Sequence, residues 1–152
     1  MLAALLRTPN EVSLLLVRVG LGVVILPHGL QKTLGWFGGK GVPGTVHFFE
    51  EVLKIPPFWT YCAIAAESVG AVALILGLFG RVAALGILAV MGVAVALIHG
   101  RQGFFMNWYS QPRGEGFEFH ILAIAMALAV IWRGSGAFSL DRMLETRRGP
   151  SA

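Results

Sequence analysis

Apolar residues in this sequence occur in long blocks rather than in alternation with polar ones. Four such blocks cover residues 11–30, 58–79, 82–98 and 119–132. A helix that crosses a lipid bilayer needs roughly 17–25 predominantly apolar residues. We therefore predict an all-α membrane protein in which four transmembrane helices form an antiparallel bundle, with residues 1–152 as a single domain.

The connections between the blocks refine this prediction. Only Gly80 and Arg81 separate the second block from the third, so these two helices must form an antiparallel hairpin. In the first long connection, residues 45–55 place apolar side chains at helical spacing with charged residues between them. This pattern predicts a short amphipathic helix at the membrane surface. The second long connection, residues 100–117, is rich in aromatic side chains, which is typical of the membrane–water interface.

The composition also favours lipid as the surroundings of this chain. The chain is 56% hydrophobic and only 13% charged, whereas soluble domains carry about 25% charged residues. Its net charge is +4, but the basic residues are scattered singly, so we expect no nucleic-acid partner. The only cysteine, Cys62, excludes an intrachain disulfide and lies in an apolar stretch, where we expect a small packing residue.

Basic residues outside the blocks indicate the orientation in the membrane. Four spans place both ends of the chain on one side. That side holds Arg7, Arg81, Arg133, Arg142, Arg147 and Arg148, and the opposite side holds Lys32, Lys40, Lys54, Arg101 and Arg113. The small excess on the side of the termini predicts that both termini are cytoplasmic.

Two ionisable residues lie well inside the predicted spans, Arg18 in the first and Glu67 in the second. A charged group within a span costs at least about 2.5 kcal/mol on insertion scales, so each needs a partner or a function. Because the two helices run antiparallel and rise about 1.5 Å per residue, both residues fall near mid-bilayer. We predict an Arg18–Glu67 ion pair, which either only fixes the helix register or also underlies a ligand cavity.

A second polar cluster is predicted where the helices meet the two long connections. His28, Lys32, His99, Glu118 and His120 fall at one depth in this topology. Histidines and a carboxylate at one level could bind a ligand or relay protons, and His28, His99 and His120 could bind a metal or haem. Each histidine taken alone is more often an interfacial residue in contact with water. Glu118 and His120 are two residues apart, so a straight helix points them to nearly opposite faces.

Several short motifs resemble the DoxX family of small bacterial membrane proteins. In chain order these are His28-Gly29-Leu30-Gln31-Lys32, Gly35-Trp36-Phe37-Gly38-Gly39, Glu67-Ser68-Val69-Gly70, Leu78-Phe79-Gly80-Arg81, His99 with Gly103-Phe104-Phe105, Gly116-Phe117-Glu118-Phe119-His120 and Phe138-Ser139-Leu140-Asp141-Arg142. The resemblance implies a four-helix protein of the bacterial cytoplasmic (inner) membrane. The family is named for a subunit of a quinone-reducing thiosulfate oxidoreductase, and relatives are linked to redox stress and to complexes with soluble redox enzymes. No residue is assigned a catalytic role by this resemblance.

Three functional hypotheses follow. The first is a membrane component of a redox system that binds a quinone or similar amphipathic ligand near the outer helix ends, either within a quinone-linked oxidoreductase or on its own. Its ligand residues would be Arg18, His28, Lys32, Glu67, His99, Glu118 and His120, with Trp36, Phe104, Phe105 and Trp108 stacking on the ring. The second is a non-catalytic anchor or partner subunit for a soluble oxidoreductase. The third is a haem or metal protein, and a homo-oligomer is compatible with each.

Overall fold

The computed structural model describes residues 2–110, 112 and 114–147, and within this part of the chain every regular element is helical. The helices are α1 (Leu2–Leu6), α2 (Val12–Thr33), α3 (Gly41–Glu51), α4 (Pro57–Leu76), α5 (Gly80–Leu97), α6 (Glu118–Arg133) and α7 (Leu140–Arg147). Two short 3₁₀ turns, Trp36–Gly38 and His99–Gln102, lie in the long connections. The all-α fold class is therefore confirmed.

Four long helices, α2, α4, α5 and α6, pack against one another around a core of aliphatic side chains. Leu21, Ile25, Leu74 and Ile87 are almost completely buried in this core. Large apolar side chains also cover the outside of the bundle, and Leu16 is 68% exposed. Such a surface is disfavoured in water and suits contact with acyl chains.

Three of these helices have the length and hydropathy of a membrane span: Val12–Thr33, Pro57–Leu76 and Gly80–Leu97. The fourth, Glu118–Arg133, has 16 residues, which gives a length of about 24 Å against a hydrocarbon core of about 30 Å. It packs extensively on α5 and also on α2, so it belongs to the bundle. Three spans are thus supported, and the fourth span stays a prediction.

The predicted hairpin and the predicted connecting helix are both present. The second helix ends at Leu76, three residues earlier than expected, because Gly77 adopts a left-handed conformation (φ +66°) that terminates helices. The connecting helix begins at Gly41 and ends at Glu51, and it packs against α4 and α2. It therefore starts and ends four residues before the predicted range of 45–55.

A five-residue π-helical stretch, Ala66–Gly70, interrupts the α-helical pattern of α4. The widened turn holds Glu67, and the Ser68 hydroxyl donates to the Ile64 carbonyl at 2.6 Å. Widened turns of this kind occur frequently at functional sites. The apolar pattern of the sequence gives no indication of this irregularity.

Two glycines bring α2 and α4 into close backbone contact. A Cβ atom on Gly22 would lie 2.8 Å from the Ala71 carbonyl oxygen, and a Cβ on Gly29 would collide with the backbone of Glu67. Small residues of this kind allow the close helix packing that is common in membranes. The contact at Gly29 fixes the height of Glu67 relative to α2.

Replacing Gly29 by alanine is therefore expected to destabilise the bundle by about 1–3 kcal/mol, because the added methyl group forces the helices apart. A Gly92→Ala variant is the matched control, since a Cβ placed there meets no atom of the described residues within 4 Å apart from the backbone of its own helix. This control should be neutral or slightly stabilising. Thermal unfolding of the two purified variants in one detergent measures the difference, and equal melting temperatures would contradict the prediction.

Candidate ligand-binding site

A cavity of about 840 Å³ lies at the end of the bundle that carries the two long connections. Its walls come from α2, α3, α4, α5 and α6 and are formed largely by apolar side chains. Five polar residues of the predicted site line it: His28, Lys32, Glu67, His99 and His120. A volume of roughly 300–1,000 Å³ with a few convergent polar groups is typical of small-molecule sites.

Lys32 and Glu67 form an ion pair across the wall of this cavity. Lys32 lies in the last turn of α2, and Glu67 lies in the widened turn of α4. The Glu67 side chain is 4% exposed and that of Lys32 is 21% exposed, so both charges are largely removed from solvent. The pair places two opposite charges in the wall of a largely apolar cavity.

The predicted ion pair between Arg18 and Glu67 is wrong. Glu67 lies level with Gly29, where α2 and α4 touch. Arg18 precedes Gly29 by eleven residues, which corresponds to about 16 Å along the helix. The prediction failed because it assumed that the two helices begin at equal heights, and only their packing sets that offset.

Arg18 instead lies at the opposite end of the bundle, where it is 1% exposed and does not line the cavity. Its guanidinium donates hydrogen bonds to five backbone carbonyls: Leu74, Ile75, Ser135, Ala137 and Phe138. The first two belong to the last turn of α4, where carbonyls lack partners within the helix and carry partial negative charge. Arg18 thus joins α2, α4 and the segment before α7.

Asp141 is a buried acidic residue that interacts electrostatically with Arg18. The sequence analysis did not predict its structural role. Its carboxylate accepts hydrogen bonds from the Phe79 amide at 2.7 Å, the Gly80 amide at 3.0 Å and the Ser135 hydroxyl at 2.6 Å. It is 1% exposed and caps the start of α5. The signal in the sequence was an aspartate within the last family-like motif.

His99 and His120 form a pair at the cavity wall, with ring centroids 4.2 Å apart. The Nδ1 atom of His99 lies 2.8 Å from the Glu115 carbonyl oxygen. Because a carbonyl only accepts, this nitrogen is the donor, and Nε2 of neutral His99 is left as an acceptor. His120 is buried, and its Nδ1 has no hydrogen-bond partner among the described residues.

The third histidine of the predicted set, His28, lines the cavity but does not join this pair. Its nearest ring neighbour is Phe119, at a centroid distance of 6.0 Å. Among the described residues, no group of three or more histidine, cysteine or acidic side chains has the geometry to hold a metal. The metal hypothesis for His28, His99 and His120 is therefore not supported.

Glu118 lies outside the cavity lining. Its carboxylate accepts from the Met106 amide at 3.1 Å and from the Trp108 indole at 3.2 Å. It thus organises the second long connection, on a different side of α6 from His120, as the two-residue spacing predicts.

The cavity contains other side chains than those expected from the sequence. Its aromatic residues are Phe48, Phe49, Trp59 and Phe119, whereas Trp36, Phe104, Phe105 and Trp108 do not line it. The reason is that α3 folds over the cavity and brings its own phenylalanines. Cys62 also lines the cavity and is exposed, so the expectation of a packing residue was wrong.

A bundle with three helices long enough to span a membrane, and a ligand-sized cavity at one end, defines a multi-pass membrane protein. The sequence model of the DoxX family matches residues 13–100, more than half of the chain. The chain belongs to the DoxX family, as its motifs indicated. It is also 28% identical over 131 residues to the Bacillus subtilis (strain 168) protein named "Putative oxidoreductase CatD", with 86% of each chain covered. No solved structure matches the chain at a significant level.

Proposed function

We propose that this protein is a membrane component of a redox system and binds a quinone, or a similar amphipathic ring compound, in the cavity. The observation that carries the proposal is the buried His120, whose Nδ1 lacks a partner within the described residues, in the wall of an otherwise apolar cavity. A buried polar nitrogen without a partner costs about 1–3 kcal/mol. A ligand oxygen that bonds to this nitrogen removes that cost.

The chemistry of the cavity suits a quinone head group. A quinone presents two carbonyl oxygens on a flat ring, and imidazoles donate to such oxygens. Phe48, Phe49 and Phe119 line the same space and can contact the ring faces. A quinone that receives two electrons from a partner oxidoreductase takes up two protons, one at each oxygen. The paired rings of His99 and His120 offer titratable groups at that position.

A relative that carries the word oxidoreductase in its name also supports a redox role for this chain. Membership in the DoxX family places the chain among membrane proteins. Neither comparison identifies a substrate. The proposal that the ligand is a quinone therefore depends on the chemistry of the cavity.

Substituting His120 by alanine is expected to weaken quinone binding about tenfold, because one buried hydrogen bond of about 1.4 kcal/mol is lost. The probe is a decyl-substituted benzoquinone titrated into the detergent-solubilised chain. Quenching of tryptophan fluorescence reports binding, since Trp59 lines the cavity.

The matched control is His47→Ala, on the same helix as the lining residue Phe48 but outside the cavity. Its affinity should equal that of the parent. If the parent does not bind the benzoquinone, or if both variants bind it equally well, the proposal is refuted.

A role as membrane subunit for a soluble oxidoreductase is the second candidate function. It is favoured by exposed aromatic side chains on the second long connection, with Trp108 at 79% and Tyr109 at 87% exposure. Native co-purification distinguishes the two roles. Under this alternative, a Trp108→Ala and Tyr109→Ala double variant loses a redox enzyme that co-purifies with the parent, while benzoquinone binding is unaffected.

We also propose that the chain lies in the bacterial inner membrane with both termini in the cytoplasm. If α6 crosses the membrane as the predicted fourth span, both termini lie on one side, and the small excess of basic residues on that side favours the cytoplasm. An alkaline phosphatase fusion at the C-terminus should be inactive, and an active fusion would contradict the proposal.

A further inference from the structure

A second cavity, of about 510 Å³, lies at the opposite end of the bundle from the proposed quinone site. It is bounded by the segment between α1 and α2, the start of α5, the end of α6 and α7. Arginines dominate its lining, with Arg7, Arg81 and Arg133 against one acidic residue, Glu145. None of the functions considered above makes use of this cavity.

Arg81 is held rigidly in the wall. Its guanidinium donates to the Trp132 carbonyl at 2.8 Å, to the Arg7 carbonyl at 3.1 Å and also to the Ile131 carbonyl. Its Nε is buried and has no partner among the described residues. The guanidinium is therefore positioned in advance, so little conformational entropy remains to be lost when an anion binds nearby.

The other charges of this cavity leave it cationic. The Arg7 side chain makes no hydrogen bond or ion pair with the described residues, whereas Arg133 pairs with Glu11 and remains half exposed. The one acidic lining residue, Glu145, accepts a hydrogen bond from the Thr8 amide at 3.1 Å. One oxygen of its carboxylate thus binds the backbone, and Arg7 has no ion-pair partner among the described residues.

The position of the cavity along the bundle axis indicates which kind of anion can bind there. α5 begins and α6 ends here, so the cavity lies where the apolar part of the bundle gives way to the polar head-group layer. Trp132, in the same lining, is 83% exposed. Tryptophans at such positions are typical of the membrane interface, and basic pockets between helices at that level bind phosphorylated lipid head groups.

We propose that this cavity binds the phosphate of an anionic phospholipid head group, with Arg7 and Arg133 contacting the phosphate oxygens and Arg81 fixing the wall. Arginine suits phosphate because its planar group presents paired donors. The ligand is a lipid rather than free phosphate, because a head group is tethered at this depth and Trp132 can contact the attached glycerol and upper acyl chain. This site is independent of the proposed quinone function.

The test uses the full chain in nanodiscs of phosphatidylcholine with one fifth phosphatidylglycerol, followed by native mass spectrometry of the retained lipids. The parent should retain phosphatidylglycerol in preference to phosphatidylcholine. Each basic residue near a charged bilayer contributes about 1 kcal/mol. The Arg7→Gln variant should therefore lose about fivefold of that preference, and an Arg7→Gln and Arg133→Gln double variant more.

The matched control is Arg147→Gln, which removes the same charge from α7 outside the cavity. Its lipid preference should equal that of the parent. An equal loss in Arg147→Gln and Arg7→Gln would mean that only net charge matters, and it would overturn the proposal. Inorganic phosphate that binds the parent in detergent below 1 mM and displaces phosphatidylglycerol would overturn the assignment to a lipid.

Discussion

Replacing Arg18 by methionine is expected to lower the free energy of unfolding by about 3 kcal/mol or more. The variant removes the guanidinium donor from five carbonyls of two segments at a site that is 1% exposed, although the Leu74 carbonyl still accepts from the Gly77 amide. Hydrogen bonds between membrane helices contribute on average about 0.6 kcal/mol each, and burial of the unpaired acceptors adds to the loss. The variant also removes a positive charge that interacts electrostatically with the buried carboxylate of Asp141.

The free energy of unfolding is measured by adding a denaturing detergent and monitoring the loss of helix by circular dichroism. Arg142→Met is the control, because it removes an arginine from the same end of the bundle without touching this network. Arg18→Lys should fall between the parent and Arg18→Met, since an ammonium has three donors and no planar fork. An Arg18→Met variant as stable as Arg142→Met would show that the network contributes little.

Removing Lys32 is expected to have the second largest effect on stability. In a Lys32→Met variant the Glu67 carboxylate, which is 4% exposed, loses its ion-pair partner. Breaking a buried pair by removing one partner typically costs about 3–5 kcal/mol, because the remaining charge is left uncompensated. We expect a loss near the lower limit, since the Lys32 side chain is 21% exposed and the pair is not fully buried.

The Lys32→Met and Glu67→Gln double variant distinguishes two contributions to stability: the ion pair itself and the cost of leaving the Glu67 carboxylate buried and unpaired. It should recover at least half of the stability lost in Lys32→Met, because glutamine carries no charge to compensate. The same unfolding measurement applies to the parent, the two single variants and the double variant. If the two single losses simply add, the residues are not coupled and the ion pair is not the cause.

Much of the fold could be predicted because hydropathy is a local property of the sequence. The first block, residues 11–30, corresponds to α2, and the short link between the second and third blocks produces the hairpin of α4 and α5, although the turn lies at residues 77–79, just before the predicted Gly80 and Arg81. The fourth block was placed correctly, but α6 is short for a span. The widened turn at Ala66–Gly70 was invisible, since π-helical turns leave no periodic signal in an apolar run.

The candidate site was predicted in part. Placing His28, His99 and His120 at one level was sufficient to bring them to one cavity, because antiparallel topology fixes which helix ends meet. Glu118 was at the right level on the wrong side of its helix. The lining aromatics were wrong, because no pattern in the first long connection shows that α3 folds over the cavity.

The sequence by itself determined that this chain is helical, that it lies in lipid and that its histidines gather at one end, because these properties depend on local hydropathy and on the order of segments. The tertiary structure alone decided the partners of the buried charges. Partner choice depends on how far one helix slides along another, and uniformly apolar faces do not specify that distance. The close contact at Gly29 sets this distance. As a result Glu67 pairs with Lys32, and Arg18 binds backbone carbonyls at the other end of the bundle.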